Sequence, residues 1–283
     1  MSLWTPTSRR TTGYVVDNFG ATPTATPGAS VAPGVSDAEG SWTDSGLGTL
    51  ANEIVGFLIR VSDGASTSNA KRHVLDVGVD PAGGTSYAAV ITDIVCGAAA
   101  NASQAGNGHR FFFPLRIPAG ATVGFRIAGS NATAGTVRVG MRVYGLVDLP
   151  WMIGVGQYSE TIGVSGTSGT SFTPGNGANG SWVSLGTTTR ECWWWQGCYQ
   201  VDNATITAEY AWIEFAYGDA SNKVVFQRLM HTGSTGESCG NPLSLNLFEG
   251  ACRVPAGSTI YVRGYCNNPP DTGYQAAIVG IGG

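Results

Sequence analysis

The densest group of interaction-capable side chains in this sequence is Cys192-Trp193-Trp194-Trp195-Gln196-Gly197-Cys198-Tyr199. Indole and phenol rings bury a large apolar area while keeping a polar edge, so they suit cores, protein contacts and sugar stacking alike. In a strand, successive side chains point to opposite faces. Trp194 is therefore expected to oppose Trp193 and Trp195, and a single core cannot take all three. At least one ring should be exposed or covered by another chain. Three readings follow for Trp193, Trp194, Trp195, Gln196 and Tyr199: a strand packed on both faces within the chain, a homo-oligomeric interface, or a ligand platform for a sugar.

Catalytic chemistry has less support. Of three histidines, His73 and His109 lie in or beside expected strands of the first half, and His231 ends one in the second. No His-Glu-x-x-His ligand set occurs, and no Gly-x-Ser-x-Gly elbow sits at a strand-to-helix junction. Glycoside hydrolysis needs two carboxylates across a cleft. Asp76 and Asp80 could share a strand face, and Glu209 could meet Asp202 across a turn, but solvated carboxylates account for all four. Asp80, Asp93 and Asp148 could serve calcium, yet no dense Asp/Asn/Gly loop surrounds them. The glycine-serine stretch from Gly163 to Gly169 reads as a linker rather than a phosphate cradle. No catalytic residue, cofactor or metal is assigned, and the chain reads as a non-enzyme. A polysaccharide-degrading activity ranks last among the alternatives.

Six cysteines are unevenly placed: Cys96 stands alone in the first half, followed by Cys192, Cys198, Cys239, Cys252 and Cys266. Buried thiols and disulfides both stay open. Cys192 and Cys198 are near enough to clip a turn, and Cys239 could reach Cys252 or Cys266. No cysteine pair has compact zinc spacing. Fifteen basic and nineteen acidic residues leave a formal charge of -4. No stretch clusters Lys or Arg to neutralise a row of phosphates, which argues against a nucleic-acid partner. Neither a signal-peptide core nor an apolar run of about 18 residues is seen, so membrane insertion is not expected.

The elements that must position these residues announce themselves by repetition. Gly40-Ser41-Trp42, followed by Leu47-Gly48-Thr49, returns as Gly180-Ser181-Trp182 followed by Leu185-Gly186-Thr187. Ile117-Pro118-Ala119-Gly120-Ala121-Thr122-Val123 returns as Val254-Pro255-Ala256-Gly257-Ser258-Thr259-Ile260. Trp42 and Trp182 are 140 positions apart and Pro118 and Pro255 are 137 apart. Two markers in one order at nearly one spacing indicate tandem duplication. The glycine two positions after each proline can take a positive φ, which suits a chain reversal there.

Only 12% of residues are charged and 42 are glycine, about half and about double the usual shares. Together with abundant β-branched and aromatic residues, this describes a β-rich body with many turns. Strands are expected at 53–61, 73–80, 87–96, 110–117, 121–127 and 136–144, then at 204–214, 223–230, 243–248, 259–265 and 274–281. Along 136–144, Val137, Val139, Met141 and Val143 alternate with Arg138 and Arg142, the mark of a half-buried strand. Lys223-Val224-Val225-Phe226 is expected in the place of Arg72-His73-Val74-Leu75. No window of helical length carries a 3.6-residue period. The expected class is all-β: two tandem antiparallel β-sandwich domains with Greek-key or jelly-roll connectivity. Residues 1–39, rich in Thr, Pro and Gly, read as an extended N-terminal arm with Trp4 as its apolar anchor. Residues 40–150 form the first sandwich, 151–165 a linker and 166–283 the second.

Paired β-sandwich repeats carrying the Trp42/Trp182 and Pro118/Pro255 markers, behind a Thr/Pro/Gly-rich leader, resemble accessory virion proteins of tailed bacteriophages. These include capsid decoration, head spike and tail or baseplate proteins built from jelly-roll modules. The resemblance implies a structural component of the virion, assembled in the host cytoplasm. Its implied partners are further copies of itself and other virion proteins. A host-surface glycan or receptor is the partner on the alternative reading of a binding module.

Overall fold

Apolar residues alternating with small or polar ones become strands throughout the computed structural model. It describes residues 14–19, 28–35, 38–63, 71–98, 109–129, 135–145, 154–201, 209–233, 251–267 and 274–283. Among these residues nine strands lie in the first half: β1 (Val15–Asp17), β2 (Ala29–Val31), β3 (Thr43–Asp44), β4 (Gly56–Asp63), β5 (Lys71–Asp80), β6 (Ala88–Ala98), β7 (His109–Phe113), β8 (Thr122–Gly129) and β9 (Val137–Tyr144). Eleven make up the second: β10 (Tyr158–Ile162), β11 (Val164–Ser165), β12 (Ser168–Phe172), β13 (Gly175–Asn176), β14 (Val183–Thr187), β15 (Cys192–Val201), β16 (Glu209–Gly218), β17 (Lys223–Gly233), β18 (Ala251–Val254), β19 (Thr259–Cys266) and β20 (Tyr274–Gly282). Among the described residues the protein is all-β, with no helix.

The strands form four sheets, two in each half. In one sheet of the first half, β9 receives β1 and β2 on one side and β4 on the other, and β4 continues to β7. The other runs β3-β8-β5-β6. The second half repeats both orders. There β20 receives β10 and β12 on one side and β15 on the other, and β15 continues to β18. The companion sheet runs β14-β19-β16-β17, with the short β13 lying parallel to β19. Both sheets of each half contribute to one apolar cluster. Phe57, Leu75 and Phe125 are buried together in the first, and Trp195, Phe215 and Ile278 in the second.

In each half the two sequence markers are tied together by equivalent backbone bonds. In the first half the Leu50 amide donates to Ala121 O and the Gly120 amide donates back to Leu50 O, at 2.9 and 2.8 Å. In the second half Thr188 donates to Ser258 O and Gly257 donates back to Thr188 O, again at 2.9 and 2.8 Å. The marker glycines Gly40 and Gly180 likewise donate to Ile127 O and Gly264 O on equivalent strands. At Gly40 a Cβ would fall 2.2 Å from Ala32 O, and at Gly180 2.6 Å from Thr173 O, so only glycine admits these close passes. Gly120 and Gly257 have φ of 84° and 80°, the positive values expected. The turn they occupy joins two different sheets, however. It is a corner rather than a hairpin reversal, because β7 pairs with β4 while β8 pairs with β3 and β5.

Several boundaries differ from the sequence reading. Strands β1 and β2, inside the segment read as an arm, lie on β9, where the arm's own backbone completes a sheet edge. Strands β10 and β11 fall within the expected linker, and β10 pairs with β20. Lys223-Val224-Val225-Phe226 opens β17, the counterpart of β6, while Arg72-His73-Val74-Leu75 lies on β5, the counterpart of β16. The shift arises because β15, dense in aromatics, lacks the alternation that marked the other strands. Trp4 and the expected strand at 243–248 lie outside the described residues.

A Cβ at Gly120 or Gly257 meets nothing within 4 Å, so alanine there is opposed by φ alone. Gly120→Ala and Gly257→Ala should each cost about 1 kcal/mol, and asparagine less. Urea unfolding of the four variants measures this, and closely matching losses at the two positions are expected from matching geometry.

Candidate functional site

The tryptophan run is placed by β15, which has a cluster on each side. Trp195 and Tyr199 are buried in the cluster of the second half, where Trp195 Nε1 donates to Cys252 O at 2.9 Å. Trp194 and Cys198 instead join the cluster of the first half, together with Ala277, Val279 and Ile281 of β20. Trp193 packs, half-buried, against that same cluster. Alternation fails because the β15–β18 register shifts between Cys192 and Trp194. Trp193 and Trp194 therefore serve one side and Trp195 the other. The exposed ring that strict alternation required is absent, since the other half of the same chain covers it.

Trp194 and Gln196 do more than fill this seam. Among the described residues strand β7 ends its sheet, so one side of its backbone has no ladder partner there. Trp194 Nε1 donates to Phe112 O at 3.1 Å, and the Phe112 amide donates to Gln196 Oε1 at 3.3 Å. The Trp194 ring meets the Phe112 ring edge-on, with centroids 5.8 Å apart. Both polar groups of an edge residue are thus satisfied by side chains of the second half. A second set of contacts lies at β6. Its ladder with β5 shifts register where Asp93 takes a φ of 58°, and Asp76 Oδ1 accepts the Asp93 amide at 2.7 Å. Nearby, Val90 O and Thr92 O accept Ser159 Oγ and Thr161 Oγ1 from β10, at 2.6 and 2.5 Å. The Gly156 amide donates to Pro114 O at 2.7 Å, and Arg116 donates to Gly156 O at 3.0 Å. An apolar centre with a hydrogen-bonded rim joins the halves.

The matching face of the first half is chemically different. Where β15 and β20 carry Cys198, Gln275 and Val279, the equivalent positions of β4 and β9 carry Arg60, Arg138 and Arg142. Arg142 is held by Asp17 through bonds of 3.0 and 2.8 Å, and its guanidinium lies 5.3 Å from the Phe19 ring. One copy of the sheet keeps a charged outer face and the other has an apolar one that docks.

A second duplicated constellation explains the tryptophans of the repeat marker. Arg126 lies 4.6 Å from the Trp42 ring and bonds Asp76 and Glu39. Arg263 lies 4.3 Å from the Trp182 ring and bonds Glu214 Oε2 at 2.7 Å. Glu214 Oε1 accepts from Arg228, whose guanidinium stands 5.6 Å from the exposed Trp212 ring. Sequence reasoning missed this set, although Arg126 and Arg263 each follow the marker proline by eight positions. Their carboxylate partners, Asp76 and Glu214, sit on the middle strands β5 and β16 and carry no local motif.

The remaining candidates serve packing and turns. His109 is buried between Phe111 and Tyr199, with centroids 5.7 and 5.1 Å away, and His73 Nε2 meets Gly135 O at 3.1 Å. Asp80 accepts the amides of Ala82 and Ser86, capping the turn after β5, while Asp76 is committed to Arg126. Asp148, Asp202, Cys239 and the side chains of Glu209 and His231 lie outside the described residues. Among the described residues Cys96, Cys192, Cys198, Cys252 and Cys266 form no disulfide. A Cys192–Cys198 clip does not form, because Cys192 enters the cluster of the second half and Cys198 enters the seam. Burial, reinforced by Glu160, pushes the Cys192 thiol up to about 12, and burial beside Cys96 raises Cys198 as well. Thiols held protonated in this way are weak nucleophiles. Among the described residues no group of three or more His, Cys, Asp or Glu could hold a metal ion, and no helix is long and apolar enough to cross a membrane.

Burial alone would raise the Glu214 carboxyl, but the bonds from Arg263 and Arg228 outweigh it and hold the group below its ordinary range. A carboxyl depressed in this way contributes stability above its unfolded pKa and loses it as pH falls through the folded value. Glu214→Gln should therefore cost on the order of 2 kcal/mol near neutrality. That difference should shrink steadily in acid, as the wild-type carboxyl takes up its proton. Urea titrations of both proteins between neutral and strongly acidic pH measure it.

Neither a family model nor a curated protein matches this chain. Solved structures similar to it include tripeptidyl peptidase 2, at 8% identity and a TM-score of 0.22, with 91% of this chain and 23% of that one covered. This chain thus spans under a quarter of that protein's length. It is also similar to PNGase F, a glycosylasparaginase from Flavobacterium meningosepticum, at 11% identity and a TM-score of 0.28, with 95% and 96% covered. A third similar structure is that of the infectious bursal disease virus Gx strain, at 12% identity and a TM-score of 0.25, with 95% and 71% covered.

Proposed function

We propose that this chain is a non-enzymatic structural protein of a virus particle, built from two jelly-roll modules and working as a homo-oligomer among other virion proteins. The repeated strand order supports the jelly-roll reading. In each half the leading strands lie beside the last strand, and the chain alternates between two sheets that share one core. The observation that carries the functional reading is the seam. Trp194, Cys198, Val279 and Ile281 bury one outer sheet face of the second module against the first. The result is a double module held together by its own seam, which suits a decoration, spike or tail component. Assembly in the host cytoplasm and a final place in the virion follow from that role.

Particle incorporation tests the proposal. Peptides of this chain should co-sediment with density-gradient-purified particles in many copies per particle, read by quantitative mass spectrometry. Deleting residues 1–13, which spares β1 and β2, should abolish incorporation if the leader is a contact arm anchored by Trp4. Recovery of the full chain only in the soluble fraction of infected cells would contradict the structural role.

A further inference from the structure

We infer that the outer face of the sheet formed by β1, β2, β9, β4 and β7 docks an acidic segment of a protein partner on Arg60, Arg110, Arg138 and Arg142. This goes beyond the structural role above and does not depend on it. The four arginines are far apart in the sequence, and the ladders gather them. Arg60 lies directly opposite Arg110 in the β4–β7 pair and opposite Gly140 in the β4–β9 pair. Arg138 and Arg142 stand two residues to either side of Gly140, so they are diagonal neighbours of Arg60, about 7–8 Å away. A Cβ at Gly140 would strike the Phe19 ring, which therefore lies over the middle of the group.

Like charges directly opposite in a ladder are destabilising. Burial and the facing Arg110 hold the Arg60 guanidinium below its ordinary pKa. Among the described strands Asp17 is the one carboxylate on this face. It is committed to Arg142, whose side chain is still 41% exposed. The stretches leading into β1, β2, β7 and β9, residues 1–13, 20–27, 99–108 and 130–134, contain no Asp or Glu. Among the described residues the face thus carries a local excess of positive charge, on a chain whose net charge is -4.

Charge complementarity calls for an anionic occupant, and the apolar groups on the face make it a protein. Val15, opposite Tyr144, is 47% exposed, and Leu58 sits between Arg142 and Phe112 in the ladders. Arginine interleaved with aromatic and aliphatic side chains is the composition of a protein interface. A guanidinium is weakly hydrated and its planar fork matches a carboxylate, so it suits an ion pair beside apolar groups. A phosphate backbone would use the cations, but it gains nothing from Val15 or Leu58. The equivalent face of the second half already takes protein, since Cys198 and Val279 are buried against the first half. Asp17 supplies the pattern for the charged contact. There an extended segment, β1, lays a carboxylate on Arg142 at 3.0 and 2.8 Å.

Fluorescence anisotropy at low salt, with the full chain and labelled decaglutamate, tests the inference. Labelled decathymidylate is the nucleic-acid arm. Wild type should bind decaglutamate, and Arg110→Glu should weaken that binding about tenfold or more. Arg253→Glu changes the net charge equally, at a side chain 75% exposed in the other half, and should leave binding within about twofold. Matched circular dichroism confirms that both variants fold. Equal weakening in the two variants, or no binding of decaglutamate by wild type, overturns the inference. So does tighter binding of decathymidylate that Arg110→Glu abolishes, which would give the face to nucleic acid. No particle enters this measurement, so it can fail while incorporation into the virion stands, and the reverse.

Discussion

An edge strand leaves a row of amides and carbonyls without partners, and something must satisfy them. At β7 of this protein the partners are an indole and an amide side chain from the opposite half: Trp194 bonds Phe112 O and Gln196 accepts the Phe112 amide. The rest of the arrangement follows from that pair. To deliver them, β15 must present one face to its own module and the other to its neighbour. That explains why Trp195 and Tyr199 fill one cluster while Trp194 and Cys198 join another. The apolar face of β20 then closes on the same seam, and the β10 hydroxyls reach the carbonyls at the irregular stretch of β6.

Duplication supplies the scaffold, and divergence supplies the joint. Both halves retain the contacts between their markers, the glycine close passes and the stacked Trp–Arg–carboxylate set. They part company on one sheet face, where Arg60, Arg138 and Arg142 stand in one copy and Cys198, Gln275 and Val279 in the other. The arginines stay partly exposed and, at Arg142, pair with Asp17, whereas Cys198 and Val279 are removed from water. A few substitutions of this kind convert a charged surface into a docking surface, because each buried apolar side chain contributes roughly 1.5–3 kcal/mol relative to exposure.

Much of the architecture was legible in the sequence. The half-buried alternation around Val137, Val139, Met141 and Val143 became β9, the marker prolines became matching corners, and Gly120 and Gly257 took the left-handed conformation. The legible signals were local ones: period, turn chemistry and repetition. Strand β15 was harder to read, because its register shift sends Trp193 and Trp194 to one side, and no propensity encodes such a shift. The partners of the marker tryptophans were hidden for a related reason. Asp76 and Glu214 reach their arginines across strands some fifty residues away, where only the ladder brings them together. Strands β1, β2 and β10 went unread because they are only three to five residues long, and the long strands they join define them.

The central claim is that the two halves share one seam and therefore one fate on unfolding. Differential scanning calorimetry of the full chain beside Trp194→Ala tests it most directly. The account predicts a single transition in wild type, with calorimetric and van't Hoff enthalpies in agreement. In the variant, removal of the buried indole should bring a large loss of stability, about 3–5 kcal/mol. Two separate wild-type transitions, with neither shifted by Trp194→Ala, would contradict it.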